Sequence, residues 1–117
     1  MQGGSTKGGY FFGRVAKRRA CIVEGIWDAI RIGPGALAIL GSSMSTTQET
    51  YLRNAFTKVL VYMDPDEAGQ KAQKEILSRL KKIGVKCAAM VGADKEPADY
   101  PPGHPVIEDV QDWLRKD

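Results

Sequence analysis

Short apolar runs alternate along the chain with segments whose apolar residues recur at helical spacing. "ACIV" (20–23), "ALAIL" (36–40), "KVLVYM" (58–63) and "VKCAAM" (85–90) have strand length and few polar interruptions. That is the signature of strands buried on both faces. Between them lie "GIWDAIRI" (25–32), stopped by Gly33-Pro34-Gly35, and a segment over 46–55. Ser45 and Gln48 stand before the latter at capping-box spacing. The strongest helical pattern is 67–83, where Ala68, Ala72, Ile76 and Leu80 recur every fourth residue and Leu77 and Ile83 widen the stripe. A last helix is predicted over 106–116, with Ile107, Val110 and Leu114 on one face and its acids placed before its bases. The order β-α-β-α-β-α-β-α predicts an α/β fold, an about four-stranded, mainly parallel sheet with helices on both faces.

Size adds one domain and no more. The chain has 117 residues and is 43% hydrophobic, enough for a single core. Residues 1–19 read as a flexible, basic N-terminal segment and 20–117 as the folded domain, with Tyr10, Phe11 and Phe12 breaking the Gly-rich pattern as residues that could pack against it. No run reaches the roughly 18 apolar residues of a membrane helix, and no signal-peptide core is present, so a cytoplasmic location is expected. Cys21 and Cys87 sit far apart in strand-like runs and read as reduced thiols, and His104 in "PPGHP" reads as a loop residue. The net charge of +3 is mild. Its distribution is more informative, because Lys17, Arg18 and Arg19 form a basic run compatible with a phosphate-rich partner.

The acids change the picture most. In an open parallel sheet, sites form beyond the carboxyl ends of the strands. Glu24-Gly25 follows the first strand, and Asp64-Pro65-Asp66 follows the third. Asp28 lies one helical turn past Glu24, and Asp94, Glu96 and Asp99 follow the fourth strand. All fall on one edge. Carboxylates gathered there repel one another unless a cation joins them, and an all-oxygen ligand set suits Mg²⁺ or Mn²⁺. Metal-assisted phosphoryl chemistry is the natural reading. The bland alternative is local: Asp66 or Glu67 caps the long helix, and Glu24-Gly25 is an ordinary turn.

Other motifs fit less of the chain. Asp64, Asp66, Gly69 and Glu75 occupy four positions of a calcium loop, but Ala68 fills a ligand position and a strand precedes the loop. D-x-D after a strand is also found in aspartyl phosphatases, which leave Glu24 unexplained. "GPGALA" lacks the third glycine of a dinucleotide fingerprint.

"CIVEGIWDAIRIG", "AILGSSMSTTQ" and "VLVYMDPDEAGQKA" together resemble the Toprim domain shared by topoisomerases and bacterial-type primases. The likeness is strongest to the primase branch, phage versions included, and covers about residues 21–91. "KGGYFFG" and "DKEPADY" are similar to flanking primase segments. The resemblance implies a Rossmann-like Toprim fold. It implies that Glu24, Asp64 and Asp66 are catalytic. It further implies that Glu24, Asp64, Asp66 and Asp28 hold or surround Mg²⁺ (or Mn²⁺). Lys17, Arg18 and Arg19 fall where nucleic acid could bind, and here charge carries more of the reading than motif does. The implied partners are DNA or RNA, nucleotide triphosphates and replication proteins such as a helicase, with no membrane. The sequence departs from such primases in showing no zinc-ligand spacing, and topoisomerases need a separate tyrosine-bearing domain for which there is no room here, so strand passage by this chain alone is not expected. The expected function is nucleotidyl transfer as the catalytic domain of a DNA primase. A Toprim-type nuclease and a non-catalytic nucleic-acid-binding module are the alternatives.

Overall fold

The computed structural model describes residues 11–41 and 43–116. Strands β1 (Phe12–Gly13), β2 (Arg19–Val23), β3 (Ala36–Ala38), β4 (Lys58–Val61) and β5 (Lys86–Ala89) form one five-stranded sheet in the order β1-β3-β2-β4-β5. Four helices connect or follow them: α1 (Ile26–Ile32), α2 (Thr46–Ala55), α3 (Glu67–Lys82) and α4 (Pro105–Arg115). Strands β2 to β5 pair in parallel, and β1 joins β3 antiparallel.

The predicted α/β order holds, with one addition. Strand β1 is only two residues long, below the length at which periodicity is legible. It brings Phe11 to full burial beside Ile22 and Leu37. Residues 11–13 and Arg19, part of the stretch read from sequence as a flexible segment, are therefore packed with the sheet, whereas 14–18 between them are exposed. Residues 1–10, Tyr10 among them, lie outside the described residues.

Alternation along β2 divides the core in two. Ala20 and Ile22 face Leu52 of α2 and Ala72, Ile76 and Leu80 of α3. Cys21 and Val23 face Ala29 and Ile32 of α1 and Ile107, Val110 and Leu114 of α4. Helices thus cover both faces, and burying each of the leucine, isoleucine and valine side chains stabilises the fold by roughly 1.5–3 kcal/mol. Chain direction explains the layering. From β2 the chain moves outward through α1 to β3, then crosses back through α2 to β4 and onward through α3 to β5. The direction reverses between β2 and β4, which makes that gap the switch point where α/β sheets form their crevice.

Local chemistry fixes the helix ends. Ser45 Oγ accepts the Gln48 N–H at 3.0 Å while Gln48 Oε1 accepts the Ser45 N–H at 2.8 Å, completing the predicted capping box. Gly33 ends α1 at φ 91°, a conformation glycine reaches without a Cβ penalty. His104 Nδ1 accepts the Val106 N–H and starts α4. The apolar stripe of α3 differs from its prediction in one place. Ala68 is exposed, and the buried position of the first turn is Gly69.

Candidate active site at the carboxyl edge

Gly69 is where the geometry of the site begins. A Cβ there would lie 2.2 Å from the carbonyl oxygen of Asp64. Only glycine lets α3 press this closely on the backbone leaving β4. Helix α3 also anchors that backbone with two glutamines. Gln73 Oε1 accepts the Met63 N–H at 3.1 Å, and Gln70 Nε2 donates to the Asp64 carbonyl at 3.0 Å. From β2, Glu24 Oε1 accepts the Asp64 N–H at 3.0 Å, bridging the switch point. The Asp64 main chain is thus held from both sides, and its side chain lines the cleft.

The opposite wall comes from the loop after β5. Tyr62 donates its hydroxyl hydrogen to the Lys95 carbonyl at 2.7 Å. Tyr100 donates to Asp94 Oδ1 at 2.9 Å and accepts the Asp94 N–H at 3.1 Å. A short 3₁₀ turn, Pro97–Asp99, follows. Asp28 ties that turn to α1: Oδ1 accepts the Ala98 N–H at 2.9 Å, and Oδ2 accepts the Gly25 N–H at 3.3 Å. Arg31 adds a bond to the Ala98 carbonyl at 3.3 Å. These contacts carry Glu96 to the switch point.

Asp28, Asp64 and Glu96 there present carboxylate oxygens that all lie within 4.8 Å of one another. They line an open cleft of about 630 Å³, together with Glu24, Trp27, Ile30, Arg31 and Asp99. Among the described residues, Asp64 Oδ1 is buried and has no hydrogen-bond partner. Its carboxyl is pushed up to about 7, first by desolvation and then by the charges of Glu24, Glu96 and Asp28. Glu96 is raised as well, by burial first and Asp28 second. Asp28 rises chiefly through burial, against which the N–H groups of Ala98 and Gly25 act. Acids held this close, with an orphaned buried oxygen among them, fit a hard divalent cation bound through oxygen.

The sequence-predicted residues are distributed unevenly around this cluster. Asp64 and Asp28 enter it, and Glu24 lines the same cleft. Asp66 does not enter it: it is exposed, and its Oδ1 accepts the Gly69 N–H at 2.7 Å as the N-cap of α3. Glu96 takes the third place. The sequence put it on the correct edge, but a carboxylate in a loop carries no signal of which way it turns. The glutamines and tyrosines that fix the backbone were not singled out either. Lys17 and Arg18 are exposed at the amino end of β2, the opposite edge of the sheet. Arg19 is buried with its guanidinium 4.9 Å over the Trp113 ring and bonds the Trp113 carbonyl, which makes it a packing residue between β2 and α4 rather than an exposed phosphate contact.

Among the described residues, no helix is long and apolar enough to cross a membrane. No curated protein matches the chain. Among solved structures, the chain is similar to the primase of Aquifex aeolicus, determined as its zinc-binding and RNA polymerase domains. The likeness has a TM-score of 0.58 and 26% identity over 83% of this chain, which spans 23% of that one. Residues 21–100, which contain both acidic strand ends, the switch-point cleft and the tethered loop, match the sequence profile described as Toprim-like, and the chain belongs to that family.

Proposed function

We propose that this domain carries out metal-dependent nucleotidyl transfer on nucleic acid, as the catalytic Toprim domain of a DNA primase that makes RNA primers for replication. The observation that carries this reading is the buried Oδ1 of Asp64, without a partner among the described residues, within a cluster of three convergent carboxylates at the switch point. Asp64, Glu96 and Asp28 would hold Mg²⁺ or Mn²⁺, which supplies charge neutralisation at a phosphate when bound. The chain's own residues do the remaining work. Glu24 fixes the Asp64 main chain and stands in the cleft as the group to accept a proton from an attacking hydroxyl. Asp28 holds the Ala98 turn, and so holds Glu96 in register with Asp64. The substrates of this reading are a nucleic-acid template and nucleotide triphosphates. Lys17 and Arg18 supply phosphate-backbone attraction away from the chemistry, and a helicase is the natural replication partner.

Calorimetric titration with Mg²⁺ and with Mn²⁺ tests the site. Binding is expected to be weak in the wild type and lost in Asp64→Asn and Glu96→Gln. Binding that survives both substitutions would place the ion elsewhere and remove the basis of the proposal. Primer synthesis on single-stranded DNA tests the reaction. Extension must require nucleotide triphosphates and disappear in Glu24→Gln. Strand cleavage without triphosphates would instead make the same residues a nuclease.

A further inference from the structure

The cleft has a second wall that the carboxylate chemistry does not use. Trp27 precedes Asp28 on α1 and is 74% exposed. Ile30, on the same helix, is 55% exposed. Both line the cleft that holds Asp28, Asp64 and Glu96, and so does Arg31. The other described tryptophan, Trp113, is half-buried under Arg19. Among the described residues, this exposed indole belongs to neither core cluster and makes no hydrogen bond. Three features of the cleft match one ligand. Its carboxylates suit a metal-bound phosphate, its volume of about 630 Å³ suits a nucleotide, and its apolar rim suits a flat ring. Aromatic faces stack on any base without reading its sequence.

We propose that Trp27, backed by Ile30, is the stacking platform for a nucleobase whose phosphate lies at the carboxylate cluster. The inference rests on the nucleotidyl-transfer reading and adds to it the position of the base. It makes Trp27 a binding residue that orients the substrate across the cleft. The platform takes a base equally from a single strand or from a free nucleotide, and the two sources can be separated experimentally.

The test uses the whole chain carrying Trp113→Phe, so that Trp27 is the sole fluorophore of its kind. Oligo(dT) and a nucleoside triphosphate are titrated with Mg²⁺ present. An abasic oligonucleotide of equal length and inorganic tripolyphosphate serve as base-free controls. Saturable quenching by the base-containing probes and none by the controls is expected. Quenching by oligo(dT) alone would make the platform a strand site, and quenching by the triphosphate alone a nucleotide site. Trp27→Ala should weaken binding of the quenching probe by about 5- to 150-fold, and Trp27→Phe should restore most of it. Metal titration of Trp27→Ala should match wild type, which separates this inference from the metal site itself. Probes that bind equally well to Trp27→Ala, or without quenching, overturn the platform while leaving the nucleotidyl-transfer reading in place. Failure of every probe to bind overturns both. Self-association in sedimentation that Trp27→Ala abolishes would show that a second copy covers the indole, and would also overturn the platform.

Discussion

Substituting Asp64 with Asn should stabilise the metal-free protein, and only at neutral to alkaline pH. The sign follows from linkage. In the unfolded chain this carboxyl ionises near its ordinary 3.8, and in the fold it is pushed up to about 7. Between those values the native state holds a proton that the unfolded state has lost, so stability falls as pH rises through the interval. Below it the group is neutral in both states and contributes no penalty. Above about 7 the penalty is complete. A fully buried carboxyl shifted this far would lose about 4 kcal/mol. Asp64 is only half-buried, and solvent screening reduces the figure to roughly 1–2 kcal/mol. The assay is urea unfolding followed by circular dichroism, with chelator, at constant ionic strength, from pH 4 to pH 8. Asp64→Asn should match wild type at pH 4 and exceed it by roughly 1–2 kcal/mol at pH 8. Glu24, Asp28 and Glu96 face the group, and the response of Asp28 and Glu96 to losing the Asp64 charge is part of that gap. Adding Mg²⁺ or Mn²⁺ at about ten times its dissociation constant should return about 1.4 kcal/mol to the wild type alone. A gap that does not change with pH, or an Asn variant less stable at pH 8, would refute the electrostatic account of the cluster.

Two further substitutions separate support from ligation. Gly69→Ala forces a Cβ against the Asp64 carbonyl, so it should cost about 1–3 kcal/mol in urea unfolding and weaken metal binding in calorimetry, although residue 69 offers no ligand. Asp66→Ala removes the α3 cap and should cost about 1 kcal/mol at any metal concentration while leaving metal binding at the Asp28–Asp64–Glu96 cluster intact. Total loss of metal binding in that variant would instead make Asp66 a ligand of that ion.

Much of this fold is legible in the sequence because it rests on local rules. Strands β2 to β5 are short apolar runs, and Ser45 with Gln48 states its helix start outright. Topology then supplies the edge: once the strands are parallel, Glu24 and Asp64 must share it. Direction within the edge is less legible. Asp64 and Asp66 look equivalent in sequence, yet one turns into the cleft and the other caps a helix. The difference arises from Gly69, whose N–H takes one aspartate while its missing Cβ lets the helix close on the other. Arg19 illustrates the same limit, since a basic run does not reveal that its last member meets an indole ninety-four residues away. Glu96 is placed by Tyr62, Tyr100 and Asp28, partners that become neighbours only after folding.

The bonding pattern of the site has a consistent logic. Gln70, Gln73 and Glu24 bond main-chain atoms of residues 63 and 64, and Tyr62 and Asp28 bond main-chain atoms of the 95–98 loop. None of these contacts satisfies Asp64 Oδ1, which is buried without a partner among the described residues. A fold selected for stability alone would turn such an oxygen to water or give it a donor. Here the backbone is constrained on both sides of the switch point, which limits how far the carboxylates can move apart to relieve their repulsion. Rigid support for an unfavourable charge cluster is what a preorganised cation site requires, because a cation then meets ligands already positioned and already destabilised without it. The same rigidity predicts that loosening the frame at Gly69 should weaken metal binding even though every carboxylate is retained.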